Sequence, residues 1–533
     1  METTHITRSS DSALIKKLLA FAQSKNPRAS VATLIAALVV LCAWLILVVF
    51  TASQHEFWRD EVRALSVAQS AASPLDLFNK IHNEGHPIVW YLILYLGNLL
   101  APQILPFAAL VIALGAVAVF MFFAPFPFWL KCLFLFGVLP VYEYSVMARN
   151  YGISMLLFFV AAALYKNKSR HPVLLGVVLA LLANTNIHSA MLVCLIALVW
   201  AWDAVAERRK NGQTLNPGAG FAAAFVIIAA GVALDVFTAL PDDTSILGIY
   251  RNPIGPPALS KPPEQVFQEA SGVFAKLMPE EAQPFLAMAL LALAALGLIR
   301  RPALFLAALA GLVAFAALFL LVYWGQLRHQ GIYFVFVVFL YWLRMDSANA
   351  KPARLPARVA QGMGLVALVG LLAGGVVVGY RAVTQDITTQ MSSNKDLGAF
   401  LTSSEAYRDA IIVPEPDYLV ESLPYYAPVS LFYPREQRFG KYVSFTTASS
   451  KYITLGILLN DAIDLKNKYG KPVLIVLGHK DVGPRQSGTV RFSYGSLFQW
   501  YSADVATLNS ATTLVGTFTS AVGDENYRVF LVK

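Results

Sequence analysis

Long apolar runs, broken by short polar stretches, fill the chain from about residue 31 to residue 380. Runs of about 17–22 residues are long enough to cross a ~30 Å hydrocarbon layer as helices. The pattern predicts spans at 31–51, 104–123, 127–143, 150–165, 172–188, 190–206, 221–240, 284–299, 303–323, 329–343 and 361–380. A shorter apolar segment, 88–101, reads as an interfacial or partly inserted helix. From about residue 381 the texture changes. Apolar runs shorten to strand length at Ala410–Val413, Val429–Phe432, Pro472–Leu477, Thr513–Phe518 and Tyr527–Val532. Amphipathic stretches alternate with them at Asn394–Ser403, Asp417–Tyr426, Leu455–Lys468 and Leu497–Leu508, which points to a small α/β domain. The fold class expected is therefore a polytopic α-helical membrane protein of about 11–12 spans with a C-terminal extracytoplasmic α/β domain. Its parts are a cytoplasmic segment 1–30, a transmembrane domain 31–380 with outer loops 52–87 and 241–283, and the domain 381–533.

Composition supports the membrane reading. Of 533 residues, 57% are hydrophobic and only 14% charged, about half the charged share of a soluble protein. The formal net charge of +9 is no nucleic-acid footprint, because most Lys and Arg sit in short clusters between spans. The polar first 30 residues, with Arg8, Lys16, Lys17, Lys25 and Arg28, are too long and too polar for a secretory signal, so the first span is expected to be retained. Cys42, Cys132 and Cys194 all lie in apolar runs and form no disulfide framework.

Charge also orients the chain. Lys166–Arg170, Arg208–Lys210, Arg300-Arg301 and Arg344–Arg358 are each two spans apart, as the positive-inside rule asks of a cytoplasmic face. Lys131 agrees with them. The outer face then holds 52–87, the turns around Arg149, His188 and Arg328, the loop 241–283 and everything after Tyr380. This parity fails if 88–101 crosses fully; an interfacial 88–101, or a mis-split span elsewhere, restores it.

The candidate chemistry collects on that face. Asp60-Glu61 follow Trp58 at the start of an amphipathic stretch, which would hold the acids at the membrane surface. A carboxylate there can serve as general base toward a hydroxyl. Glu84 and His86, with His82 one helical turn earlier, form a second cluster. Carboxylate and imidazole suit a divalent metal such as Zn or Mn, although His55 or His188 would have to complete the site. The same residues also read as a helix start, with Glu84 at the positive end and Pro87 opening the helix. Arg149 with Tyr151, and Arg328-His329, are aromatic-flanked arginines on the face where the positive-inside rule disfavours them. Each could snorkel; together they would bind a phosphate or pyrophosphate. His188 sits where two spans meet at the same face.

Taken together, the acid pair Asp60-Glu61, the Glu84-Gly85-His86-Pro87 segment, the Ala148-Arg149-Asn150-Tyr151 turn and the His188 junction resemble the GT-C membrane glycosyltransferases. The protein O-mannosyltransferases and lipid A aminoarabinose transferases are the most similar members, and the likeness covers residues 30–345. The resemblance implies a polyprenyl-phosphate sugar donor used at the outer face of the cytoplasmic (inner) membrane. A glycolipid, polysaccharide or protein would be the acceptor. It implies Asp60 as catalytic base and Glu61 as its support or an acceptor ligand. The His86 region would line the cavity, and Arg149 and Arg328 would neutralise the lipid phosphate. The resemblance fixes no cofactor, and a divalent metal stays open. Two departures stand out. His86-Pro87-Ile88 replaces the His-Pro-Pro frequent among members, and the C-terminal region does not read as the β-trefoil of the mannosyltransferases. Two other readings compete: a transporter or flippase of a lipid-linked or anionic substrate, and an assembly protein whose outer domain binds a partner. The first should carry charge near the midplane and two related halves, and no internal repeat is visible.

Overall fold

The computed structural model describes residues 31–212, 218–240, 244, 263–323, 325–346, 355–478, 487–492 and 495–533. The N-terminal segment 1–30 and most of 241–262, in the expected loop 241–283, lie outside them. Among the described residues, six helices are long and apolar enough to cross a membrane: Val31–Gln54, Leu105–Phe123, Ile187–Lys210, Ala219–Ala239, Pro302–Leu321 and Leu355–Thr388. Tyr151–Tyr165, Pro172–Ala183 and Pro284–Leu296 are shorter apolar helices packed among them, and Leu327–Met345 is almost wholly buried. Small residues let the backbones approach. A Cβ on Gly176 would fall 2.9 Å from Ala224 Cα, and one on Gly231 would fall 2.8 Å from Ala180 Cα, so Pro172–Ala183 and Ala219–Ala239 lie in direct contact.

Four expected spans differ in detail. The run 127–143 is not one helix: Phe128–Leu135 ends before Gly137, and Leu139–Glu143 forms a π-turn that throws the chain into the Arg149 loop. The break between 172 and 206 falls at Asn184–Asn186, where the Asn186 side chain accepts from Ser189 N–H at 2.9 Å and caps the next helix. His188 therefore lies in a first helical turn. The last helix runs over 34 residues rather than 20, about 51 Å, and carries Asp386 beyond the apolar layer. Segment 88–101 contains the 11-residue helix Ile88–Asn98, about 16 Å long and too short to cross.

The charged clusters separate toward two ends. Lys168 meets Glu207 at 2.9 Å and Arg301 meets Asp203 at 3.1 Å at one end of the bundle. Arg149, His188 and Arg328 stand at the opposite ends of the same or neighbouring helices. Over that second end lies a layer of short helices, Arg59–Ser70, Pro74–Lys80 and Ile88–Asn98, which share a core of Val62, Leu65, Leu77, Trp90, Tyr91 and Leu94.

The C-terminal region contains strands β1 (Ile411–Glu415), β2 (Ser430–Tyr433), β3 (Arg438–Gly440), β4 (Tyr452–Thr454), β5 (Val473–Leu477), β6 (Gly488–Arg491), β7 (Leu497–Trp500), β8 (Thr512–Phe518) and β9 (Tyr527–Val532). A six-stranded sheet has the order β3-β2-β1-β5-β9-β8, and β1 is parallel to β2 and β5. A second sheet has the order β4-β7-β6. All five expected strands are present. The expected helix Leu497–Leu508 is wrong at its start: Leu497–Trp500 is β7, and the helix occupies Ser502–Ala511. Asp417–Tyr426 is two short turns rather than one helix.

This region docks on the short helices through buried charge. Arg59 pairs with Asp524 at 2.6 Å and with Glu525 at 3.3 Å, and its backbone N–H donates to Glu525 at 3.0 Å. Tyr426 O–H donates to the Phe57 carbonyl at 3.0 Å. Removing one partner from a buried pair strands the other charge. Arg59→Ala is therefore expected to destabilise the docking by up to about 3–5 kcal/mol, reduced by the Ser392 and Asn394 hydrogen bonds that Glu525 retains. Limited proteolysis between residues 389 and 393 checks this, and wild-type resistance in the variant would refute it.

Candidate active site

The helix Arg59–Ser70 starts at Trp58, whose backbone N–H donates to the Glu61 carboxylate at 3.3 Å. Asp60 is thereby placed in the first turn, where the helix dipole favours an anion. Across from it, the irregular turn after Glu143 presents Arg149, and the first turn of Leu327–Met345 presents Arg328. Asp60 Oδ2 accepts from Arg149 Nη1 at 2.7 Å and lies 3.6 Å from Arg328 Nη2. Each guanidinium also faces a ring: Arg149 over Tyr151 at 5.8 Å and Arg328 over Trp58 at 5.8 Å. Burial alone would raise the Asp60 pKa, but Arg149, Arg328 and Arg59 together hold it down at about 2.

A cavity of about 350 Å³ opens beside this bridge. Asp60, His86, Arg149 and Asn150 form one side, and Arg63, Glu84, Trp90 and Tyr91 form another. Tyr418, Glu421 and Phe445 reach in from the C-terminal region. Arg63 organises the second side: it donates to both Glu84 oxygens at 2.8 and 2.7 Å, to Glu421 at 2.5 Å and to the Val443 carbonyl at 2.8 Å. Burial pushes Glu421 up to about 7 against the opposing pull of Arg63. Burial, reinforced by Arg149, lowers His86 to about 4 against the opposing charge of Asp60, so His86 is neutral at pH 7.

The structure brings most of the expected residues together, in two tiers. Asp60, Glu84, His86 and Arg149 line the cavity, with Arg328 on the far side of Asp60. Tyr151, His188 and His329 stand behind the arginines as a stack. The His188 and His329 rings are 5.1 Å apart at 11°, the Tyr151 ring lies edge-on to His329 at 5.5 Å, and His188 Nε2 is hydrogen-bonded to Tyr323 Oη. Glu61 is a correction. It does not line the cavity: it is fully buried on another face of the helix, accepting from Ala148 N–H at 2.7 Å and facing His55 Nε2 at 3.1 Å. One residue along a helix turns a side chain by about 100°, which separates Asp60 from its neighbour. Glu61 positions; it does not touch a ligand there. His55 Nδ1 meets Asp386 at 2.9 Å, and Tyr142 O–H donates to Asp386 at 2.9 Å. With a carboxylate on each ring nitrogen, both nitrogens donate and the imidazole is the cation.

Sequence reasoning missed Arg63, Tyr418, Glu421 and Phe445. Arg63 was within reach, since it stands three residues after Asp60 on the same helix and the two share a face. The other three come from far along the chain and carry no local signal.

Glu84 and His86 do not fit a divalent metal. Both Glu84 oxygens are engaged by Arg63, Arg149 bears on His86 electrostatically, and among the described residues no three His, Cys, Asp or Glu side chains converge. No family model matches the chain, and no curated protein or solved structure matches it either.

Two outcomes are expected. The melting temperature should be unchanged by exhaustive chelation with EDTA; a drop restored by Zn or Mn would refute the pairing of Glu84 with Arg63 as its resting role. His86 binds a proton in the unfolded chain below about pH 6.5 but in the folded chain only near pH 4. Its contribution to stability is complete above about 6.5 and declines toward pH 4, by up to about 3 kcal/mol. Melting curves of His86→Asn should be flatter than wild type across that window, and equal slopes would count against the assignment.

Proposed function

We propose that the chain is a GT-C-like membrane glycosyltransferase that moves a sugar from a polyprenyl-phosphate donor to an acceptor hydroxyl, with inversion. One observation carries the reading: a carboxylate flanked by two arginines beside an aromatic-lined cavity, at one end of a bundle of membrane-length helices. Arg149 and Arg328 receive the donor phosphate, whose charge grows as the sugar departs. Guanidinium groups fixed in a poorly hydrated site stabilise that charge strongly. Trp58, Trp90 and Tyr91 offer ring faces to the sugar, and the paired carboxylates and guanidinium of Glu84, Glu421 and Arg63 offer hydrogen bonds to its hydroxyls.

Asp60 takes the proton of the acceptor hydroxyl as its oxygen bonds to the sugar carbon and the carbon–phosphate oxygen bond breaks. Among the described residues that line the cavity, the carboxylates other than Asp60 are Glu84 and Glu421, and both are held by Arg63; a single displacement, and hence inversion, is what the arrangement supports. The basic clusters at the opposite end support an outward cavity in the cytoplasmic membrane, with the C-terminal region outside. A transporter would concentrate paired charge near mid-span. Among the described residues the paired charges gather at the helix ends instead, and buried Asp235 lies within the last five residues of Ala219–Ala239.

The test is transfer of labelled sugar from a polyprenyl-phosphate donor by the purified, reconstituted protein. Asp60→Asn should lower turnover at least ~100-fold, the usual size of a general-base contribution, while leaving folding and membrane insertion intact. Arg149→Ala and Arg328→Ala should each raise KM for the donor or cut turnover. An active Asp60→Asn protein would sink the base assignment.

A further inference from the structure

The two arginines assigned to the donor phosphate are not vacant: Asp60 occupies them. A single oxygen, Oδ2, serves both, at 2.7 Å from Arg149 and 3.6 Å from Arg328. We propose that Asp60 is a placeholder for the donor phosphate, freed to act as base only when that phosphate takes its place on the two arginines. This rests on the proposed function and adds an order of events to it.

Two independent observations carry it. The first is this geometry, in which base and phosphate ligands form one closed ion pair. A carboxylate held so is a weak proton acceptor, since its charge is already spoken for; its pKa of about 2 lies far from that of a base matched to neutral pH. The second is that the bridge leaves donors around it unused. Trp58 Nε1 and Arg328 Nε are buried without a hydrogen-bond partner, and Trp58 lines the cavity with its ring 5.8 Å from the Arg328 guanidinium. A buried donor without a partner is costly, and one carboxylate oxygen does not satisfy the set. A tetrahedral phosphate with several acceptor oxygens would serve more of it.

The sequence of steps balances. The donor phosphodiester, carrying one negative charge, displaces the Asp60 carboxylate from the arginines. Asp60 then accepts the acceptor's proton while the new glycosidic bond forms and the sugar–phosphate bond breaks, leaving polyprenyl phosphate with two negative charges on the arginines. Loss of the proton from Asp60 to water restores the carboxylate, which reclaims Arg149 and helps expel the product.

The experiment measures binding of a short-chain polyprenyl monophosphate to the full-length protein in detergent, for wild type, Asp60→Asn, Asp60→Ala and Arg149→Ala, with melting curves showing that each is folded. Removing the internal competitor should tighten binding about tenfold in both Asp60 variants, while Arg149→Ala weakens it. If the Asp60 variants bind as wild type does or more weakly, while Arg149→Ala still loses affinity, the placeholder idea falls and the proposed function stands. If wild type does not bind the probe, or binding ignores Arg149, both fall.

Discussion

Charge buried where apolar helices end must be paired, and one short helix does most of the pairing. Arg59, Asp60, Glu61 and Arg63 project from the first turns of Arg59–Ser70 toward different parts of the molecule. Arg59 holds Asp524 and Glu525 of the C-terminal region. Asp60 holds Arg149 and Arg328 of the bundle. Glu61 holds His55, which in turn holds Asp386 near the C-terminal end of the last long helix. Arg63 joins Glu84 to Glu421. Because an unpaired charge in these surroundings costs several kcal/mol, the pairs constrain where each element can sit.

That arrangement couples the cavity to the region that roofs it. Arg63 touches both the loop before Ile88–Asn98 and the C-terminal region, so a shift of one is felt by the other. The Leu355–Thr388 helix provides a second path, since Asp386 lies only a few residues before the segment that enters the C-terminal domain. The cavity is therefore not a property of the membrane-length helices alone. Tyr418, Glu421 and Phe445 complete it from the other side.

Much of the site was readable because its residues break local rules. Arg149 and Arg328 stand at the helix ends opposite the basic clusters, and Asp60 interrupts the approach to an apolar run. What could not be read was direction around a helix. Asp60 and Glu61 look equivalent as neighbours, yet one faces the cavity and the other a buried histidine. Glu84 and His86 look like a ligand pair until Arg63 engages the carboxylate from another element. The strands β3, β4, β6 and β7 run only 3–4 residues, too short for a period-2 pattern to stand out, and Leu497–Trp500 was absorbed into a helix for that reason.

Apolar run length, basic clusters and the change of texture near residue 381 are local properties, and they determined by themselves the helical part, its two charged ends and the strand-containing region. Hydrophobic period and charge act through neighbours in the chain, so a single sequence carries them. Which acid meets which base was decided only by tertiary structure. Asp60 reaches Arg328 across 268 residues and Arg63 reaches Glu421 across 358, and no local preference encodes a pairing over such separations. The acid pair Asp60-Glu61 was visible in the sequence; its division into one residue at the cavity and one in the frame came from the fold.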